Sequence, residues 1–287
     1  MTDDPFVAHR SLLFTVAYEM LGSAADAEDV VQEAWLRWAG AEQGEVHDPR
    51  AYLVRVVTHQ ALNRLRSLSR RREAYVGEWL PEPVLTSRDV AEDAELAESV
   101  SIAMLTVLET LGPVERAVFV LREVFDMPYD EIARAVGKTP VAVRQVAHRA
   151  REHVSARRPR MKLDRAAQEA VVEKFLAAMA NGDVGGMLEA LAPDVVLVAD
   201  GGGMVPAARR PVAGAERVVA LLSRAAKLPG FTISAVWLNG MLGARIDVAG
   251  VTIAVSLAVE DGRITRIYGI ANPLKLKGLE APAELRR

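Results

Sequence analysis

The chain has 287 residues, 35 Lys and Arg against 38 Asp and Glu, a net charge of −3, and 51% hydrophobic but only 5% aromatic residues. That length suits two or three domains with aliphatic cores, and a charged fraction of 25% excludes global disorder. The absence of cysteine excludes disulfides, thiolate metal sites and cysteine nucleophiles; with no long apolar run and no signal-like start, a soluble cytoplasmic protein without membrane association is expected.

Ser23 followed three residues later by Asp26 predicts a helix start, after which Ala27, Val30, Val31, Ala34, Trp35 and Trp38 recur on one apolar stripe. The neighbouring acids Asp26, Glu28, Asp29 and Glu33 are ordinarily solvated surface, yet they also suit a basic partner. Asp48-Pro49 opens the next helix, a cap followed by proline in the first turn, with Leu53, Val57, Ala61 and Leu65 as its buried face. A different stripe reads Arg55, His59, Asn63, Arg66 and Arg70, continuing into Arg71 and Arg72. Arg forks suit phosphates, and Asn and His can hydrogen-bond an unstacked base, although a lone cationic stripe is more often plain surface.

Residues 76–112 hold 8 acidic side chains and 1 basic, and residues 113–160 hold 10 basic and 6 acidic. Phosphates would repel the first stretch, so 76–95 reads as an acidic linker. Beyond it, Tyr129, Ile132, Ala133 and Val136 give a short amphipathic helix, and Gly137-Lys138-Thr139-Pro140 gives a helix stop, an N-cap and a proline start in four residues. The following helix should bury Val143, Val146, Ala147, Ala150 and Val154 and turn Val141, Arg144, Gln145, His148, Arg149 and Arg151 outward. This is a helix-turn-helix, whose second helix sets early residues against base edges in the major groove. Arg reads guanine and Gln adenine bidentately, and a Val methyl meets the thymine methyl. An ordinary antiparallel helix pair is the plainer alternative.

The texture changes at Arg157-Arg158-Pro159-Arg160. A further helix is predicted over Arg165–Asn181, then strands at Val195–Ala199, Phe231–Leu238, Ala244–Val248, Val251–Val259 and Ile264–Ile270. The fold class is therefore multi-domain, an all-α front followed by an α+β rear.

These motifs resemble the extracytoplasmic-function (ECF) sigma factors of RNA polymerase. AEDVVQEAWLRW (27–38) resembles that family's polymerase-binding helix, DPRAYLVRVVTHQALNRLRS (48–67) its promoter −10 reading helix, and residues 108–152 its −35 reading domain. YVGEWLPEP (75–83), DGGG (200–203), ARRPVAG (208–214) and NPLKL (272–276) resemble signatures of the SigJ type, which carries a SnoaL-like extension of the NTF2-like fold. His59 stands where the family commonly has Asn, and Leu274 where a more polar residue is expected. The resemblance implies a sigma region 2 domain at 1–75, a region 4 helix-turn-helix domain at 96–157 and a SnoaL-like cone at 161–287. It implies core polymerase binding, through its β′ subunit, by Asp29, Gln32 and Trp35. It further implies −10 contacts by Arg55, His59, Asn63 and Arg66, and −35 contacts by Lys138, Thr139, Val141, Arg144, Gln145, His148 and Arg149. Regulation in cis would run through Trp79, Asp200, Gly201, Asn272, Pro273 and Lys275. In that contact Asp200 should accept hydrogen bonds or meet an Arg of the first domain, and Leu274 and Leu276 should be buried.

SnoaL relatives include enzymes, but the rear half has no His, Asp200 precedes three glycines, and Asp247 beside Arg245 reads as a same-face surface pair. No catalytic residue, metal or cofactor is expected, and the cone could hold a small ligand. Two rival readings are a ligand-responsive helix-turn-helix regulator and a SnoaL-like enzyme with a DNA-binding front.

Overall fold

The computed structural model describes residues 4–42, 46–72, 75–157 and 164–287. The side chains of Arg70, Arg71 and Arg72 and the joint at 158–160 lie outside the described residues. The front half opens with α1 (Pro5–Leu21), started by an Asp4 cap and ended by Gly22 in the left-handed region. It continues through α2 (Ala24–Ala39), capped by Ser23, and α3 (Pro49–Arg72). Past an extended segment to Ser87, the acidic linker turns helical as α4 (Arg88–Glu92) and α5 (Ala94–Val100). Next come α6 (Ile102–Leu108), α7 (Pro113–Phe119) with a wider turn over Val120–Val124, α8 (Tyr129–Val136) and α9 (Pro140–Ser155).

All of these helices share one apolar core, in which Leu13, Tyr18 and Leu53 pack with Leu105, Val118 and Val143. One residue of the expected stripe departs from it: Trp35 is 45% exposed. At 3.6 residues per turn it lies roughly 80° around α2 from Ala27, past the edge of the buried face.

The rear half begins with α10 (Arg165–Asn181), matching the expected helix, and α11 (Val184–Ala190). It adds β1 (Leu191–Asp200), β2 (Val212–Ala213), α12 (Ala215–Ala225), β3 (Thr232–Leu238), β4 (Met241–Val248), β5 (Val251–Glu260) and β6 (Arg263–Ile270). The sheet order is β2-β1-β6-β5-β4-β3, antiparallel throughout except for the parallel β1–β6 pair. Side chains alternate between its faces. One face, with Val255, Leu257 and Ile267, closes against α10, α11 and α12 to form a cone. The other, with Ala254, Ala258, Tyr268 and Ile270, packs on Leu80 of the linker and on Ile102 and Ala103 of α6. The rear sheet is therefore built into the front half.

The chain then crosses back. Ala283 N–H donates to Leu85 O (2.8 Å), and Arg286 N–H donates to Thr15 Oγ1 (2.9 Å). Leu285 is buried in the front core, and Arg287 pairs with Asp93 and Glu95. No helix among the described residues is long and apolar enough to cross a membrane.

Candidate nucleic-acid interface and interdomain clasp

Helix α9 is set by its turn: Gly137 holds φ +66, and the Thr139 hydroxyl accepts from Ala142 N–H (3.3 Å). Val143, Val146, Ala147, Ala150 and Val154 are buried as expected. Lys138, Thr139, Val141, Arg144, Gln145, His148 and Arg149 are all exposed, Val141 at 62%. The Arg144 guanidinium lies 5.5 Å from the Tyr129 ring centre, which orients it without neutralising it. Arg151, on the same helix, is held in a two-pronged pair by Glu123 at 2.7 and 3.1 Å, so it is less available to a phosphate than its exposure implies.

On α3 the expected face is also outward: Arg55, His59, Asn63 and Arg66 are exposed above the buried Leu53, Val57, Ala61 and Leu65. Asn63 lies 3.4 Å from His59 Nδ1 and accepts from Arg66 at 3.4 Å, a polar row along one helix edge. On α2, Asp29, Gln32 and Trp35 are exposed together, beside Leu36. Arg64 bridges from α3 to Asp26 and Asp29, and these acids push its guanidinium further up. A basic partner approaching Asp29 must compete with Arg64.

The residues expected to join the rear domain to the linker converge on a buried clasp. The Asp200 carboxylate, 0% exposed, accepts from Tyr75 O–H (2.6 Å), Gly202 N–H (3.0 Å), Leu80 N–H (2.9 Å) and Lys275 Nζ (2.7 Å). Lys275 also donates to Leu80 O (2.6 Å), and its ammonium stands 4.0 Å from the Trp79 ring centre and 4.8 Å from that of Tyr75. Asn272 donates to Tyr75 Oη (2.7 Å), so a rear loop grips the linker from both sides. Burial and the Asp200 hydrogen bond push the Tyr75 phenol up, which keeps it a donor. Only glycine fits two positions: an added Cβ would sit 2.6 Å from Val205 O at Gly201 and 2.3 Å from Asn272 Nδ2 at Gly202, where φ is +58. Pro273 starts the short turn Pro273–Lys275 from an exposed position.

Of the two roles expected of Asp200, the structure shows the first: it accepts hydrogen bonds from the linker, and the cation it meets is Lys275 of its own domain rather than an Arg of the first domain. One expectation changes. In NPLKL, Leu274 is 63% exposed and Lys275 only 6%, with Leu276 half-buried, because the buried carboxylate needs a cation more than the loop needs a second apolar anchor.

Three groups escaped the sequence reading. Asn239, at φ +53 in the β3–β4 hairpin, donates to Tyr18 Oη (2.6 Å) and Val100 O (2.8 Å) and accepts from Val84 N–H (3.1 Å), pinning the rear hairpin into the front core. Asn-Gly announces a hairpin, but nothing in the pair announces a socket. Glu82 of the linker accepts from Ser23 Oγ and Ala25 N–H at the start of α2. Glu19 is fully buried within α1 and accepts from Ser99 Oγ (2.8 Å); burial raises its carboxyl to about 8. Arg116 donates to the Glu19 carbonyl (3.0 Å) and pairs with Glu109. Asp247 and Arg245 form the expected exposed pair at 3.0 Å, which lowers the Asp247 carboxyl.

Two family models match: sigma-70 region 2 over residues 6–71 and sigma-70, region 4 over residues 101–154. The chain is 39% identical to the ECF RNA polymerase sigma factor SigJ of Mycobacterium tuberculosis, over 98% of this chain and 95% of that one. It is 35% identical to the probable ECF RNA polymerase sigma factor SigI of the same species, over 96% and 94%. The crystal structure of M. tuberculosis SigJ superposes with a TM-score of 0.76 at 37% identity, covering 95% of this chain and 97% of that one.

Proposed function

The chain belongs to the ECF RNA polymerase sigma factors, and from that premise we propose how its surfaces divide the work. As a sigma factor it is an initiation factor and not an enzyme: it joins RNA polymerase and promoter DNA, and the polymerase makes the bonds. Residues 1–75, 96–157 and 161–287 act as the functional units, with 76–95 as the linker. Asp29, Gln32 and Trp35 dock the β′ subunit of core polymerase. Arg55, His59, Asn63 and Arg66 take the −10 element. Lys138, Thr139, Val141, Arg144, Gln145, His148 and Arg149 take the −35 element. The partner places the protein in the cytoplasm.

The observation that carries this reading is the face of α9, where every expected base- or phosphate-reading side chain is solvent-facing behind a capped turn. Run-off transcription tests it. The protein should make core polymerase initiate at a promoter that core alone ignores, and tight DNA binding without polymerase association would overturn it.

The rear domain regulates the front in cis, and its cone holds a small ligand. The clasp of Asp200, Gly201, Asn272, Pro273 and Lys275 on Tyr75 and Trp79 supports the first part, since it holds the linker between the two promoter-reading regions. Asn272→Ala loosens that grip while keeping the buried ion pair, and should change transcript yield severalfold. Unchanged yield and polymerase affinity would make the rear domain a passenger.

A further inference from the structure

Between α10, α12 and the concave face of the sheet lies a cavity of about 190 Å³. Its wall holds no ionisable side chain and is closed by aliphatic groups with Phe175 and Phe231. Six small residues keep it open: Ala199 on β1, Ala207 and Ala208 in the loop after β1, Ala225 on α12, Gly269 on β6 and Ala271 just past it. They come from β1, the loop after it, α12 and the end of β6, and a larger side chain directed inward from one of them would take up space in the cavity. An apolar cavity of roughly 150 Å³ lined by Leu, Ile and Phe stays dry and binds benzene, whereas drug-sized ligands need about 300 Å³ or more. Such a wall rejects a charge, because it offers nothing to replace the lost hydration.

The cavity also shares its backbone with the clasp. Ala199 precedes Asp200, and Ala271 precedes Asn272. The amides of Ala271 and Asn272 both donate to Asp200 O, at 2.8 and 3.0 Å. Ala207 and Ala208 follow the Gly201–Gly203 turn that touches Tyr75 and Val76. A molecule wedged against Ala199, Ala207 and Ala271 therefore presses on both loops that hold Asp200 and Asn272 on the linker.

We propose that the cone binds a small uncharged, apolar molecule of one ring or two fused rings, and that its occupancy tightens the grip of Asp200 and Asn272 on Tyr75 and Leu80. The site deepens the reading of the rear domain as a regulator and rests on it only for the coupling. The experiment uses the full-length protein with indole as the neutral probe and benzoate as its charged counterpart. Calorimetric titration should show saturable one-to-one binding of indole, with Kd below about 1 mM, and no binding of benzoate. Saturating indole should slow hydrogen exchange of the Leu80 amide, which donates to Asp200, at least threefold. Gly269→Val puts methyls into the cavity from a position where an added Cβ meets only Ile253 Cγ2 at 3.8 Å and Val198 O at 3.9 Å. It should weaken indole at least tenfold. Ala225→Leu gives the same test from α12, and thermal unfolding verifies that each variant is folded. Absent indole binding, equal binding of benzoate, or undiminished binding by both folded variants overturns the site; binding without slowed exchange overturns the coupling. Neither readout involves polymerase or promoter, so failure here leaves the transcription test standing, and failed transcription leaves the site standing.

Discussion

The outward face of α9 and the clasp around Asp200 both gather polar and charged side chains, on opposite terms. On α9 the charges come from one helix, are exposed, and stand over a dry apolar stripe, so their arrangement costs little and leaves them available to a ligand. At the clasp they come from the linker, the end of β1 and the loop after β6, are withdrawn from water, and spend their hydrogen-bonding capacity on one another. Cations that bind something else must be left unsatisfied by the fold, whereas cations that hold the fold must not be. Arg151 shows the first rule broken on α9 itself, since Glu123 already occupies it.

The largest effect expected from that contrast is at Asp200. Asp200→Ala leaves the Lys275 ammonium buried without its carboxylate and should cost about 3–5 kcal/mol in urea unfolding. Adding Lys275→Met should recover most of the loss. A loss below about 1 kcal/mol would erase the distinction between the two regions.

Next in size, Arg144→Ala or Gln145→Ala should each remove about 1–3 kcal/mol of discrimination at one −35 base pair, measured by competition among duplex variants. Stability should move by no more than about 0.5 kcal/mol, as for other surface substitutions. Intact base preference in both variants would move the recognition surface elsewhere.

Glu19 sharpens the buried side. Its folded-state carboxyl is raised by burial from an ordinary value of 4.5 to about 8, so the native state holds the extra proton across that window. The stability this proton provides is fully present below pH 4.5 and is lost as pH rises through about 8. The slope from one such group is at most about 1.4 kcal/mol per pH unit. Urea midpoints across that range should fall with rising pH in the native chain and fall less in Glu19→Gln. Equal slopes would place the proton elsewhere.

The smallest effect is at the turn before α9. Lys138→Ala should weaken binding to all duplexes alike and reduce the salt slope of log K by about one. Arg151→Ala should change that slope less, because Glu123 competes for its charge.

What the sequence revealed follows the same division. Periodicity exposes a face when one helix carries both its buried and its solvent side, so α3, α8 and α9 were legible down to individual residues. Trp35 was misread because the edge of a stripe has no sharp boundary. The strands from Phe231 onward were legible from alternation, although β2, with two residues, offers no period at all. The clasp was legible only in its membership. Glycines and an Asn-Pro turn mark a backbone held closely, but which of Leu274 and Lys275 turns inward depends on a carboxylate 75 residues earlier. Asn239 and Glu19 were invisible for a related reason: each is defined by a socket assembled from distant segments.

The return of the chain end to the front core has a consequence in time. Helices α1 to α9 are synthesised first, yet their core also takes in Leu285. At about 5–20 residues per second, the roughly 130 residues between α9 and Leu285 take on the order of ten seconds to translate. During that interval the front half lacks the packing of Leu285, and Asp93 and Glu95 lack Arg287. A nascent chain therefore passes through a form in which the front half has been made but Leu285 and Arg286 have yet to reach it.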